Sequence, residues 1–124
     1  MTVDATTLRD AIDRLRDEYR NRLDTTLEVF DYVPAVESAP HAFVYISADG
    51  ASLDTEAFRV PVRLVVSGQA GHEESHRVFV NAVDMCESEL DAASLGATSS
   101  AGWQAEIGAW VCAWIVEIPR SYPA

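Results

Sequence analysis

From Phe58 to Ser67 the chain alternates. Phe58, Val60, Val62, Leu64 and Val66 fall on one side, and Arg59, Pro61, Arg63, Val65 and Ser67 on the other. One side is wholly apolar and the other mostly polar, which predicts a half-buried strand. Pro61 donates no hydrogen bond, so it points to an edge or a bulge at that position. The period then changes. After a small turn, Gly68 to Gly71, the residues Phe79, Val83, Cys86 and Leu90 recur at helical spacing, widened by Val78, Ala82 and Met85. That predicts a helix over His72 to Asp91.

The same reading places an opening helix at Thr6 to Leu23. Leu8, Ile12, Leu15, Tyr19 and Leu23 form its stripe, Thr6 or Thr7 caps it, and Asp10–Arg14 and Glu18–Arg22 pair on its exposed face. Leu27 to Val33 reads as a strand ended by Pro34, followed by a loop. His41 to Ser47 reads as another, with Phe43 and Tyr45 on one face and Val44 and Ile46 on the other. Ala48 to Glu56 is a polar link with Asp49-Gly50 as its turn signal. Ala92 to Gly102 is loop by composition. Trp103 to Trp110 and Val111 to Ile118 read as two closing strands around Gly108, and Arg120 to Ala124 as a tail. The order predicts an α+β fold: one domain over 1–124, an antiparallel or mixed sheet of about five strands, and two helices packed on it.

Composition narrows the functions. At 124 residues and 48% hydrophobic, the chain suits one globular core. No run is apolar enough to predict a membrane span, and Met1 to Ala5 carries neither the basic flank nor the apolar run of a secretory signal. Two cysteines, Cys86 and Cys112, do not make a disulfide framework and are expected as buried thiols. There are 9 Lys+Arg, all of them Arg, against 20 Asp+Glu, for a net charge of -11. Binding a phosphate backbone requires positive side chains that displace counterions, so a nucleic-acid grip is not expected.

The one stretch that resembles chemistry is His72-Glu73-Glu74-Ser75-His76, which fits H-E-x-x-H. Two His four apart on a helix can share a zinc ion, and the Glu can act as base on a metal-bound water. Here the motif sits at the very start of the helix, where His72 can serve as an N-cap outside helical geometry. His41 is the only other His, and Glu87 and Glu89 lie too far along the same helix. Acidic residues in a first turn also favour the positive helix end. A polar helix start is therefore the preferred reading, with a small zinc hydrolase using His72, Glu73 and His76 as the alternative. The Gly68 to Gly71 turn lacks the Lys-Ser/Thr of a P-loop. Cys86 has no basic neighbour in sequence to activate it. No cofactor is expected.

The layout resembles the tail terminator proteins of long-tailed phages with non-contractile tails, especially those of actinobacterial hosts. The resemblance lies in order and texture over most of the chain. TLRDAIDRLRDEY precedes a strand pair, a V-P-V-x-L-V-V-S strand leads to HRVFVNAVDMCESEL, and W-x-A-E-I-G…C-A-W-I-V-E-I-P closes it. Head completion and connector proteins of the same neck share the size and a related build. The resemblance implies a structural protein of the virion, made in the host cytoplasm, with no catalytic residues. It implies a homo-oligomeric ring, usually a hexamer, that caps the major tail tube protein, ends tube polymerisation and docks the head-tail connector, while DNA passes through the lumen unbound. The closing strands carry more apolar surface than one small sheet face needs. Trp103, Trp110 and Trp114, or Asp49 and Leu53 in the Ala48 to Glu56 link, are thus the expected contacts with a neighbouring subunit or the tube.

Overall fold

A computed structural model describes residues 5–23, 27–35, 38–90 and 100–121. Their order is α1 (Leu8–Leu23), β1 (Glu28–Phe30), β2 (Ala42–Ile46), β3 (Ser52–Leu53), β4 (Ala57–Ser67), α2 (His72–Glu89), β5 (Ser100–Gln104) and β6 (Ala109–Pro119). The strands form one 6-stranded sheet in the order β1-β2-β4-β6-β5, with β3 beside β4. The architecture is α+β with a mixed sheet: β1 runs parallel to β2, and every other pairing is antiparallel.

β4 and β6 pair over their full length, from Ala57↔Pro119 to Ser67↔Ala109. The alternation read from β4 is therefore matched across the strand pair. Phe58, Val60, Val62, Leu64 and Val66 stand beside Ile118, Val116, Trp114, Cys112 and Trp110. Both helices lie on this side. Ala11, Leu15, Tyr19 and Leu23 of α1 and Phe79, Ala82 and Cys86 of α2 join these strand residues in one core. Among the described residues the opposite side of the sheet contributes nothing to that cluster.

Local chemistry sets the helix ends. Thr7 Oγ1 accepts the Asp10 amide at 3.0 Å, and Asp10 accepts the Thr6 amide at 3.2 Å, so Thr7 is the cap of α1. The Thr6 amide, with Arg14 on the next turn, holds the Asp10 carboxyl below its ordinary value. At α2 the cap is Gly71, at φ 100°, and His72 is the first helical residue, which corrects the expectation of His72 as an N-cap. A left-handed backbone at this point suits glycine.

Four other expectations change. Pro61 lies in an interior strand, yet it costs the β4–β6 ladder nothing. Its carbonyl accepts the Ser47 amide at 3.2 Å, and in an antiparallel strand the nitrogen points the same way. The missing donor thus faces the place where β2 has ended and β3 has begun. The Leu27 to Val33 strand shrinks to three residues. Its outward Val29 carbonyl is taken by the Arg20 guanidinium at 2.9 and 3.1 Å, which blunts that sheet edge. The Ala48 to Glu56 link is a folded ribbon, closed by Ala51 N–H to Ala48 C=O and Asp54 N–H to Ala57 C=O, both 3.1 Å, with β3 between. Finally, Trp110 belongs to β6: the turn falls at Ala105 to Gly108, with Gly108 at φ 62°, and β5 begins already at Ser100. Most of the Ala92 to Gly102 loop expectation lies outside the described residues.

Candidate functional site

The side of the sheet away from the helices is concave. Its floor is built from the alternate residues of three strands: Phe43 and Tyr45 of β2, Arg63, Val65 and Ser67 of β4, and Ala109, Val111 and Ala113 of β6. Small side chains on β6 keep the floor low. One wall is Val33-Pro34 with Ala39-Pro40, and the other is Ala101, Gly102, Gln104 and Ile107. The first wall follows from topology. Since β1 and β2 are parallel, the chain between them must return along the sheet, and it does so over this face. Together they enclose about 720 Å³, within the range of ligand-sized clefts.

Aromatic packing holds the β1 side. Phe30 meets Phe43 edge-on at 5.7 Å and Tyr32 at 5.4 Å, and Phe43 lies 6.2 Å from Tyr45. These contacts bury Phe43 without any helix above it. The rim is left exposed: Tyr32 at 58%, Val33 at 63% and Ile107 at 62%, with Ile115 at 43% further along the same face. The charge pattern is also local. In a chain with 20 Asp+Glu, the described residues that line the groove include no carboxylate, and their one formal charge is Arg63. The Arg63 guanidinium lies 5.8 Å from the Tyr45 ring centroid and makes no ion pair among the described residues.

The H-E-x-x-H histidines lie on the other side of the sheet, at the start of α2. They do point the same way, as their spacing requires, but toward tryptophan. His72 packs 4.7 Å from Trp110 and 5.1 Å from Trp103, and His76 packs 4.9 Å from Trp110. Ser75, fully buried between them, accepts the Trp110 indole N–H at 3.1 Å and donates to the Gly71 carbonyl at 2.6 Å. Glu73, the residue that would act as base, pairs with Arg77 at 2.7 Å on the exposed helix face. His41 lines the groove across the sheet. Among the described residues no group of three His, Cys, Asp or Glu is placed to hold one metal ion. Cys86 and Cys112 are both buried and free. Burial, with the neighbouring Cys112, pushes the Cys86 thiol up to about 12, and burial raises Cys112 as well. Both are therefore thiols at neutral pH, without the thiolate that nucleophilic or metal chemistry uses.

Three of the expected contact residues are accessible and two are not simply so. Asp49 and Leu53 are exposed on the ribbon, Leu53 at 61%. Trp103 is 38% exposed at the sheet edge. Trp110 is half-buried in the histidine cluster. Trp114 is corrected outright: it is 1% exposed, and its indole N–H meets the Tyr19 hydroxyl at 3.3 Å, so it is a core residue and touches no neighbour. The groove itself, with Arg63 and Tyr45, was not singled out by sequence. The available signal was the pairing of apolar Phe43 and Tyr45 on the face opposite Val44 and Ile46.

The Trp103 ring is seated on Gly68. A methyl group there would fall 2.5 Å from Trp103 Cη2 and 2.9 Å from the Gly108 carbonyl, which itself accepts the Gly68 amide at 2.9 Å. Gly68→Ala is expected to expel the ring, cost about 1–3 kcal/mol as overpacking does, and red-shift the tryptophan emission. Unchanged emission and an unchanged melting temperature contradict this. No protein-family model matches the chain, and no curated protein matches it.

Proposed function

We propose that this chain is a structural ring subunit of the neck of a long-tailed phage, acting as its tail terminator. In this role it forms a ring on the last layer of the tail tube, stops tube growth and offers the head-tail connector a docking surface. The observation that carries the reading is the one-sided sheet. Both helices cover one face, and the other is left as an apolar concavity with exposed aromatic and aliphatic rims. Contiguous apolar surface of this kind marks a contact site on a soluble protein. The resemblance in element order and texture supplies the particular assembly. The net charge of -11 fits a lumen that lets DNA slide without holding it. No residue is assigned a catalytic part.

The test is direct. Negative-stain microscopy and native mass of the purified chain, alone and with tubes of the major tail protein, are expected to give closed rings with a lumen, and no retardation of duplex DNA at low salt. A chain that stays monomeric under both conditions, or that retards DNA strongly, overturns the reading. Rings that bind a connector but not tube ends assign the chain to head completion instead.

A further inference from the structure

We infer that the groove receives the acidic Ala48 to Glu56 ribbon of a second copy of this chain, so that copies join head to tail. The inference deepens the ring reading and rests on it for the closed assembly; the contact itself is argued from charge and placement.

The groove asks for an unusual occupant. Its floor is mostly apolar, its described lining includes no carboxylate, and the Arg63 guanidinium is half-buried, 5.8 Å from the Tyr45 ring centroid. Elsewhere in the chain Arg14, Arg16, Arg22, Arg59 and Arg77 all have carboxylate partners. Arg63, in the groove, has no carboxylate partner among the described residues. A planar guanidinium in such a setting favours a carboxylate, which it can bind through two parallel hydrogen bonds. The fitting partner therefore combines an apolar anchor with negative charge and carries no cation.

The ribbon has that chemistry. Residues 48–56 read ADGASLDTE, with three carboxylates and no positive residue. Leu53 stands out from it at 61% exposure. Asp54 is held by Arg59 at 2.9 Å, while Asp49 and Glu56 make no ion pair among the described residues. The ribbon is also preformed by its two turns and the β3–β4 pairing, so little ordering cost attends its docking.

Placement makes the contact intermolecular. The ribbon leaves β2 beside Pro61 and runs down β4 to Ala57, which sets Leu53 opposite Phe58, about 17 Å from Arg63 at ~3.4 Å per residue, too far to reach the groove of its own chain. Two different, complementary patches on one molecule make a heterologous contact, which closes into a ring or runs on as a filament. At the β1 edge the Val29 carbonyl is already taken by Arg20.

The experiment uses the full chain and two variants, Arg63→Glu in the groove and Leu53→Asp on the ribbon, with Arg63→Gln as a milder groove change. Circular dichroism and melting check that each is folded. Native mass and sedimentation are expected to show each variant at least tenfold weaker in self-association than the unaltered chain. Mixing Arg63→Glu with Leu53→Asp should restore one contact, the intact ribbon of the first in the intact groove of the second, giving a 1:1 heterodimer that grows no further. Rings that persist in both variants sink the ribbon-to-groove contact and leave the ring reading standing. So does an absence of heterodimer in the mixture. An unaltered chain that is monomeric alone and with tail tubes sinks both.

Discussion

Trp114→Ala is expected to lower the stability of the chain by about 3–5 kcal/mol, the range for truncating a fully buried large aromatic. Trp114 is the largest fully buried side chain among the described residues, stands opposite Val62 on β4, and reaches under α1 to the Tyr19 hydroxyl at 3.3 Å. Removing it opens a cavity between the two central strands and the first helix. Tyr19→Phe keeps the ring and removes the hydroxyl that Trp114 meets, so its cost should be nearer ~1 kcal/mol. Urea unfolding of the three chains separates the two contributions. A loss under about 1 kcal/mol for Trp114→Ala contradicts the assignment of this residue to the core. The comparison also divides core from surface: a conservative Trp114→Phe change should leave self-association intact, while Arg63→Glu should weaken it without a comparable loss of stability.

The strong periodicities were legible because they express burial on one side. β4 and both helices fall within a few residues of their expected places, since each has a stripe that only one face of a helix or strand can bury. The weaker elements turned on facts that no local pattern carries. LEVFDYV has strand chemistry throughout, yet only Glu28 to Phe30 pair, because the chain must leave early to return along the sheet and run parallel to it. Trp103 and Trp110 both look like strand interior, which hides the turn before β6; they do face one another across the β5–β6 pair, and the chain reverses between them at Ala105 to Gly108.

The candidate site was much less legible, for a related reason. A groove is defined by what does not cover it. Phe43 and Tyr45 showed that both faces of β2 carry apolar groups, but the sequence left open whether helices lie on one face or both. Only the joint placement of Leu15 and Phe79 on the same side of the sheet leaves Val65, Val111 and Ala113 open. The histidines mislead in the opposite direction. Their spacing correctly aims His72 and His76 together, but what they meet is Trp110, which is far from them in sequence and joined to Ser75 by a hydrogen bond. An excess of apolar residues in β6 can be served by either face, so sequence alone does not separate Trp114 from the other tryptophans; pairing with Val62 puts it inside.

The second large effect is expected at alkaline pH, through Cys86. This thiol is fully buried between α2 and the sheet, and burial followed by the nearby Cys112 raises it from 9.0 to about 12. The sign follows from where the proton is held. Below about pH 9 the folded and unfolded chains both keep it, and the contribution to stability is fully present. Between about pH 9 and 12 the unfolded chain releases the proton while the folded chain retains it, so each rise in pH favours unfolding, at up to ~1.4 kcal/mol per pH unit from this group alone. Cys112, also raised by burial, acts in the same direction. The unfolding midpoint should therefore fall steeply above pH 9. Cys86→Ala should be less stable at neutral pH, from the lost packing, and yet show a shallower fall through the same window. Thiol labelling checks the same burial independently: at pH 8 both cysteines should react far more slowly in the native chain than in denaturant. If Cys86→Ala loses stability above pH 9 as steeply as the unaltered chain, the alkaline effect belongs to other groups, and the buried thiol between α2 and β6 does not govern it.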